Sequence, residues 1–371
     1  MKVSQNETAR PFVRYNANDC LTFSIHELVR IGIPKTFPYS KGIVKELTSF
    51  QTESSGAWDL FIDETPLEAS LPLDPLEQTP SLVHLKEIGV HITFSEGRIF
   101  LACRRDPLPY FLPLLQWLLL QKGCSFVHAA AIALDGQGVL LPAAGGVGKT
   151  AAIRELCNCE GSSFLGDDLV ILSEKGKLFS FPKPLFLYPY HRELFPHVFQ
   201  SKRKLVVPTW LSKWVASIRK AVRPFLMNFP RLEEFARRYT PEHLHTPARD
   251  ALPGVHFSAN NPLSITMFLE RYSGEEVSLE KIELYREPSI MVATLFVEMG
   301  GSAQSVLQAC ATKGLIPLPE FFGRMESILQ QAMSSCPTYR LRIPMSFAAP
   351  QTGSIVAKSV RSVTEHFARN S

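Results

Sequence analysis

Residues 138–150 read GVLLPAAGGVGKT, and this stretch decides how the rest of the chain is read. The apolar run 139–141 has the composition of a buried strand. A loop of small residues follows, and Lys149 and Thr150 then open a segment, AAIRELC, of helical character. Such a loop turns successive backbone N–H groups toward one centre, and the helix N-terminus adds partial positive charge there. The arrangement describes a cradle for the phosphates of a nucleotide. Its expected walls are Ala144, Gly145, Gly146, Val147, Gly148, Lys149, Thr150 and Ala151. Lys149 is expected to reach the β- and γ-phosphates, and the Thr150 hydroxyl to ligate Mg²⁺. Ala143 stands where the pattern has its first glycine; so small a side chain fits if the backbone keeps a negative φ.

Outward from the loop, residues 127–134 (VHAAAIAL) and 139–144 (VLLPAA) flank the turn Asp135-Gly136-Gln137-Gly138, which predicts a β-hairpin leading into the loop. In the commoner nucleotide-binding folds the corresponding strand arrives from a parallel crossover instead. After the loop helix, residues 164–172 (FLGDDLVIL), the turn SEKGK and LFSF predict a second hairpin. Asp167 and Asp168 precede the apolar run of that segment. Adjacent carboxylates repel and raise a pKa unless a cation separates them. Nucleotide-bound Mg²⁺ supplies one, so that one Asp serves the metal while the other accepts the proton of an attacking hydroxyl. His128, on the strand before the loop, completes the candidate constellation.

The rest of the chain is less specific. With 371 residues, 45% hydrophobic and 20% charged, it predicts a folded protein of two domains, or one with a large insertion. A net charge of +4 does not by itself imply nucleic acid, and no nucleic-acid module accompanies it. Seven scattered cysteines argue against a disulfide framework and for a reducing, cytoplasmic setting. Cys157 and Cys159 point to different helix faces and make a poor chelate. The longest apolar segment, 107–120, falls short of the roughly 20 residues that span a bilayer.

Residues 1–106 read as an N-terminal α+β unit, with a helix over 24–31 and strands over 57–62, 83–92 and 98–103. Residues 107–371 read as the nucleotide-binding domain. It carries a buried helix over 107–120 and, at 201–250, a basic amphipathic helical insertion rich in Lys, Arg and Trp. That insertion reads as a lid, a dock for an acidic peptide or membrane face, or a solvated helical face. Further on, strands are expected at 264–269, 277–282 and 339–343, and helices at 289–298, 320–334 and 355–367. His191 with Arg192, Arg340 with Arg342, and Arg271 are weaker candidates for holding an anion or transferring charge; a surface pair and a solvated edge strand are the plainer readings of the first two sets.

The segments LLQWLLLQKGCSFVHAAAIALDGQGVLLPAAGGVGKT and FLGDDLVIL together resemble the C-terminal kinase domain of HPr kinase/phosphorylase and its kinase-like relatives, which share a core with phosphoenolpyruvate carboxykinase. The resemblance spans residues 107–172, with a weaker echo in FPKPLFLYP, and is nearest to the shorter kinase-like members. It implies a mixed α/β (α+β) fold with that P-loop core, and ATP and Mg²⁺ as nucleotide and metal. The implied activity moves the γ-phosphoryl group to a hydroxyl of a peptide, protein or small metabolite. It also implies homo-oligomers. Residue by residue, it puts Lys149 on the phosphates, Thr150 on the metal, Asp167 as general base, Asp168 on the metal or the loop, and His128 beside the transferred phosphoryl group. The family's downstream glutamate-arginine-glycine segment is replaced here by FLYPYHREL, so neither phosphorylase activity nor HPr as acceptor is implied. The alternative is a nucleotide-binding ATPase switch that phosphorylates no acceptor.

Overall fold

The computed structural model describes residues 16–53, 56–64, 81–201 and 243–370. Most of the expected basic insertion, 202–242, therefore lies outside the described residues. The chain is mixed α/β and divides into two compact units, and the division differs from the boundary at residue 107 read from the sequence. The first unit runs to Val127 and takes back residues 171–175 and 285–332; the second holds the remainder.

In the first unit, seven strands form one sheet. The helix expected over 24–31 is instead a hairpin, strand Cys20–Ile25 returning as Val29–Pro34. Its turn places His26 and Glu27 at positive φ and is closed by the Leu28 N–H on the Ile25 carbonyl. Alternation decides the matter: Phe23, Ile25, Val29, Ile31 and Ile33 are all fully buried on one sheet. Residues 83–92, expected as one strand, are two, Ser81–Leu85 and Val90–Ser95, reversing through Gly89 at φ 63°. Strand Arg98–Cys103 and helix Leu108–Gln121 lie where the pattern puts them. That helix packs on helix Gly300–Thr312, which is why C-terminal helices belong with the N-terminal sheet. Gln116, fully buried, fastens it to the next strand by accepting from the Phe126 N–H at 2.8 Å and donating to Ser125 Oγ at 2.9 Å.

In the second unit the expected hairpin is present. Strand Ala129–Leu134 pairs antiparallel with Gln137–Pro142 from Leu134↔Gln137 to Ala129↔Pro142, around a turn with Asp135 and Gly136 at positive φ. Strand Ser162–Gly166 pairs antiparallel with Ala129–Leu134. On the other side, the long strand Asn260–Tyr272 runs parallel to Gln137–Pro142 and to the last strand, Thr338–Pro344. These directions bring five chain positions to one end of the sheet: the start of Ala129–Leu134 and the ends of the other four strands. Helices Lys149–Leu156 and Ala349–Asn370 pack together, Ala151 lying so close to Gly353 that a Cβ there would sit 2.6 Å from the Ala151 carbonyl oxygen. Ala151, Ile153, Val356 and Val360 join Ile132, Leu141 and Ile265 in one apolar core beneath the loop.

Candidate functional site

The hairpin register carries the first part of the site. Ala129 opposes Pro142, so His128 and Ala143 are the next residues across the same ladder. Lys149, the first residue of its helix and 4% exposed, reaches back to that point. Its Nζ donates to the Ala143 carbonyl at 2.9 Å and the Ala144 carbonyl at 3.1 Å, and lies 2.9 Å from His128 Nε2. An ammonium only donates, so His128 Nε2 accepts, which leaves the ring proton to Nδ1. Three donors thus have three partners, and Asp168 Oδ1 lies 3.6 Å away. The Ala143 that departs from the sequence pattern contributes its backbone, which any small residue supplies.

Between Lys149 and its strand, the crest formed by Ala144, Gly145 and Gly146 is exposed, whereas Val147 is buried. Gly148 is at φ 124°, and a Cβ on it would lie 2.5 Å from the Thr352 methyl carbon. Glycine is therefore required there by backbone and by space. The cradle read from the sequence is an open loop over a buried anchor. Ala151 is fully buried and serves helix packing.

The second part hangs on an irregularity. Strand Ser162–Gly166 shifts register between Phe164 and Gly166, inserting Leu165 as an extra residue. Such a bulge turns the following side chain to the other face. Asp167 and Asp168 then form the bend after that strand, with Asp168 at φ 65°. The Thr150 hydroxyl donates to Asp167 Oδ2 at 2.6 Å. Asp167 Oδ1 is buried, and among the described residues no donor meets it within the geometric limits of a hydrogen bond, the Asp168 backbone N–H lying near the carboxyl without that geometry. Burial, then the neighbouring Asp168 charge, pushes the Asp167 carboxyl from 3.8 up to about 7, against the pull of Thr150, Lys149 and the Asp168 backbone N–H. Asp168 is the more exposed of the two and stands on the Lys149 side. The reading that gave the metal to Thr150 and Asp168 thus meets a different pairing, Thr150 with Asp167.

A buried carboxylate oxygen without a donor, on an acid joined to the loop threonine, fits a hard cation. Among the described residues no group of three or more His, Cys, Asp or Glu side chains is placed to hold a metal by itself. Any ion here would take the rest of its shell from phosphate oxygens and water, as Mg²⁺ does. Cys157 and Cys159 form no such group, and burial pushes the Cys157 thiol up to about 12.

Of the weaker candidates, His191 is buried in the short turn Pro189–His191, its Nδ1 accepting from the Tyr188 N–H at 3.3 Å. Desolvation lowers its pKa to about 4, while the Asp168 charge pulls the other way. Tyr190, half-exposed and stacked on Tyr188 with rings 5.4 Å apart, has its phenol pKa raised by partial desolvation, then by Tyr188, Asp168 and Asp167. His191, read from the sequence with Arg192 as an anion-holding pair or a surface pair, is thus a buried group that feels the Asp168 charge. Arg340 and Arg342 are on a strand paired on both sides, so the expected edge strand is an inner one; both arginines share Glu270 and Glu280. Arg271 is held by four hydrogen bonds within the protein. Thr352, which touches Gly148 and Arg271, was invisible in the sequence; its one trace is Gly353, a glycine within a helical pattern, which marks close approach.

No protein-family model matches this chain, and no curated protein matches it. Among the described residues no single helix is long and apolar enough to cross a membrane.

Proposed function

We propose that the second unit is an ATP- and Mg²⁺-dependent phosphotransferase with an HPr-kinase-like core, moving the γ-phosphoryl group to a hydroxyl of a peptide or small-molecule acceptor. The observation that carries this reading is the Thr150–Asp167 pair with its unpartnered Asp167 Oδ1, set beside Lys149 at the mouth of an exposed, glycine-rich loop. A passive nucleotide pocket has no use for a buried acid whose pKa burial and a neighbouring carboxylate raise.

The loop amides and Lys149 would hold the phosphates, Lys149 giving up a carbonyl of Ala143 or Ala144 to do so. Thr150 and Asp167 would hold Mg²⁺, which when bound neutralises charge on the phosphoryl oxygens. Asp168, nearer solvent, would then take the acceptor proton. This exchanges the roles that the family resemblance assigns to the two aspartates. The acceptor oxygen bonds to the γ-phosphorus as the bond to the β,γ-bridging oxygen breaks, and its proton passes to an Asp168 carboxylate oxygen. His128 keeps the Lys149 ammonium aimed at the loop mouth. Such chemistry is mostly positioning and electrostatics.

The test is transfer of label from γ-labelled ATP into an extract of the source organism fractionated into proteins, peptides and small metabolites. Wild type, Asp167→Asn and Asp168→Asn are compared, with Mg-ATP binding measured on each. Label made by wild type alone supports the kinase. Asp168→Asn that still binds Mg-ATP, beside Asp167→Asn that has lost its Mg²⁺ requirement for binding, supports the exchanged roles. Binding of Mg-ATP without any acceptor-dependent label favours the ATPase switch.

A further inference from the structure

Arg271 is the last residue but one of the long strand Asn260–Tyr272, at the same end of the sheet as the phosphate loop. Its Nε donates to the Val147 carbonyl at 3.1 Å, Nη1 to the carbonyls of Pro344 at 2.7 Å and Phe347 at 3.1 Å, and Nη2 to Thr352 Oγ1 at 2.7 Å. One side chain thereby joins the loop to the end of the last strand and the start of the C-terminal helix. Thr352, fully buried, has a part at each atom of its side chain. Its hydroxyl donates to the Ala348 carbonyl at 3.0 Å and accepts from Arg271, while its methyl carbon packs on Gly148.

The consequence for the loop is geometric. A peptide unit is planar, so a carbonyl held to one side turns the N–H of the same unit to the other. Fixing the Val147 carbonyl on Arg271 therefore directs the Gly148 N–H away from Arg271. We infer that Arg271 and Thr352 are positioning residues for phosphate binding, holding the Val147–Gly148 peptide ready before a nucleotide arrives. This inference rests on the nucleotide-binding reading above. It also makes the C-terminal helix, through Thr352, part of the loop's support. Lysine in place of Arg271 keeps the charge but offers a point donor where a planar fork spans three segments.

The experiment is calorimetric titration of ATP and, separately, of inorganic pyrophosphate, which has no base or ribose, into the full-length chain. Arg271→Lys, Thr352→Val and Thr352→Ser are compared with wild type, and thermal midpoints are recorded. Val keeps the methyl group against Gly148 and loses the hydroxyl; Ser does the reverse. Arg271→Lys and Thr352→Val are expected to bind both ligands on the order of 10-fold more weakly, a loss typical of one charge-assisted hydrogen bond. Thr352→Ser is expected to restore binding to within about 2-fold. Affinities that follow the thermal midpoint, with Ser and Val alike, would reduce the pair to a structural clamp and overturn the inference. Wild-type affinity in Arg271→Lys and Thr352→Val would overturn it as well. Failure of wild type to bind either ligand would overturn the functional reading itself, and this inference with it.

Discussion

At one end of the second unit's sheet, Lys149 and His128 face Asp167 and Asp168; further across the same sheet, Arg340 and Arg342 face Glu270 and Glu280. The inventories are nearly the same, two nitrogen bases or cations and two carboxylates, and the physics is not. In the second group every arginine has two glutamates, at 3.3 to 3.8 Å, and Glu270 is 51% exposed. Water screens those pairs, so each contributes about 0–1 kcal/mol. In the first group Lys149 and Asp167 are each 4% exposed, one carboxylate oxygen has no well-placed donor among the described residues, and the two acids stand side by side. An imbalance of that kind destabilises the fold and persists where a ligand is to complete it. Burial and completeness, and not the number of charges, separate the site from the surface.

The largest effect that would sharpen this contrast is in turnover. Lys149→Met is expected to lower kcat/KM for ATP by on the order of 1,000-fold, with weaker nucleotide binding, whereas Arg340→Met leaves it within about 2-fold. Steady-state kinetics on the two variants checks this, and equal losses would dissolve the distinction. Next is Gly148→Ala, which forces a side chain into φ 124° and onto the Thr352 methyl. It should weaken ATP binding by roughly 100-fold in an equilibrium titration, through the loop alone.

Asp167 offers a smaller effect with a definite sign. Its folded pKa of about 7 exceeds the ordinary 3.8, so the folded chain holds the proton more tightly than the unfolded one. The nucleotide-free protein should lose stability as pH rises from about 4 to about 7 and change little beyond. Asp167→Asn should flatten that slope and raise the thermal midpoint at pH 8 while abolishing transfer, the difference amounting to a few kcal/mol. Thermal scans against pH decide it; a midpoint lowered by Asp167→Asn at pH 8 would mean that the ionised carboxylate stabilises the fold. The smallest effect belongs to the exposed ladder. Glu280→Gln should cost less than about 1 kcal/mol in denaturant unfolding, and 1 M salt should erase the difference.

The same contrast explains what could be read in advance. The hairpin, the loop and the helix after it are local patterns, and Asp135-Gly136 is a turn signal that needs no tertiary context. Residues 24–31 deceive because Ile25, Leu28 and Val29 suit a helical face as well as a strand, and Glu27 is unusual in a left-handed turn. Helix Gly300–Thr312 begins with two glycines and is rich in small residues, so it gave no strong period. Within the site, the identities of Lys149, Thr150, His128 and both aspartates were legible. Which aspartate meets Thr150 was not, because a single extra residue at Leu165 decides it.

The sequence by itself determined the chemistry available: a loop whose glycines and lysine suit phosphate, a histidine one strand earlier and two carboxylates one strand later. Those follow from residue types at short range, where backbone geometry leaves few alternatives. Only the tertiary structure decided that the C-terminal helices at 285–332 belong with the N-terminal sheet, that Arg271 stands behind the loop, and that Thr352 closes on Gly148. Arg271 and Val147 lie 124 residues apart, and nothing in either neighbourhood encodes the other. Their meeting depends on three strands running in one direction, which the packing of the whole core selects.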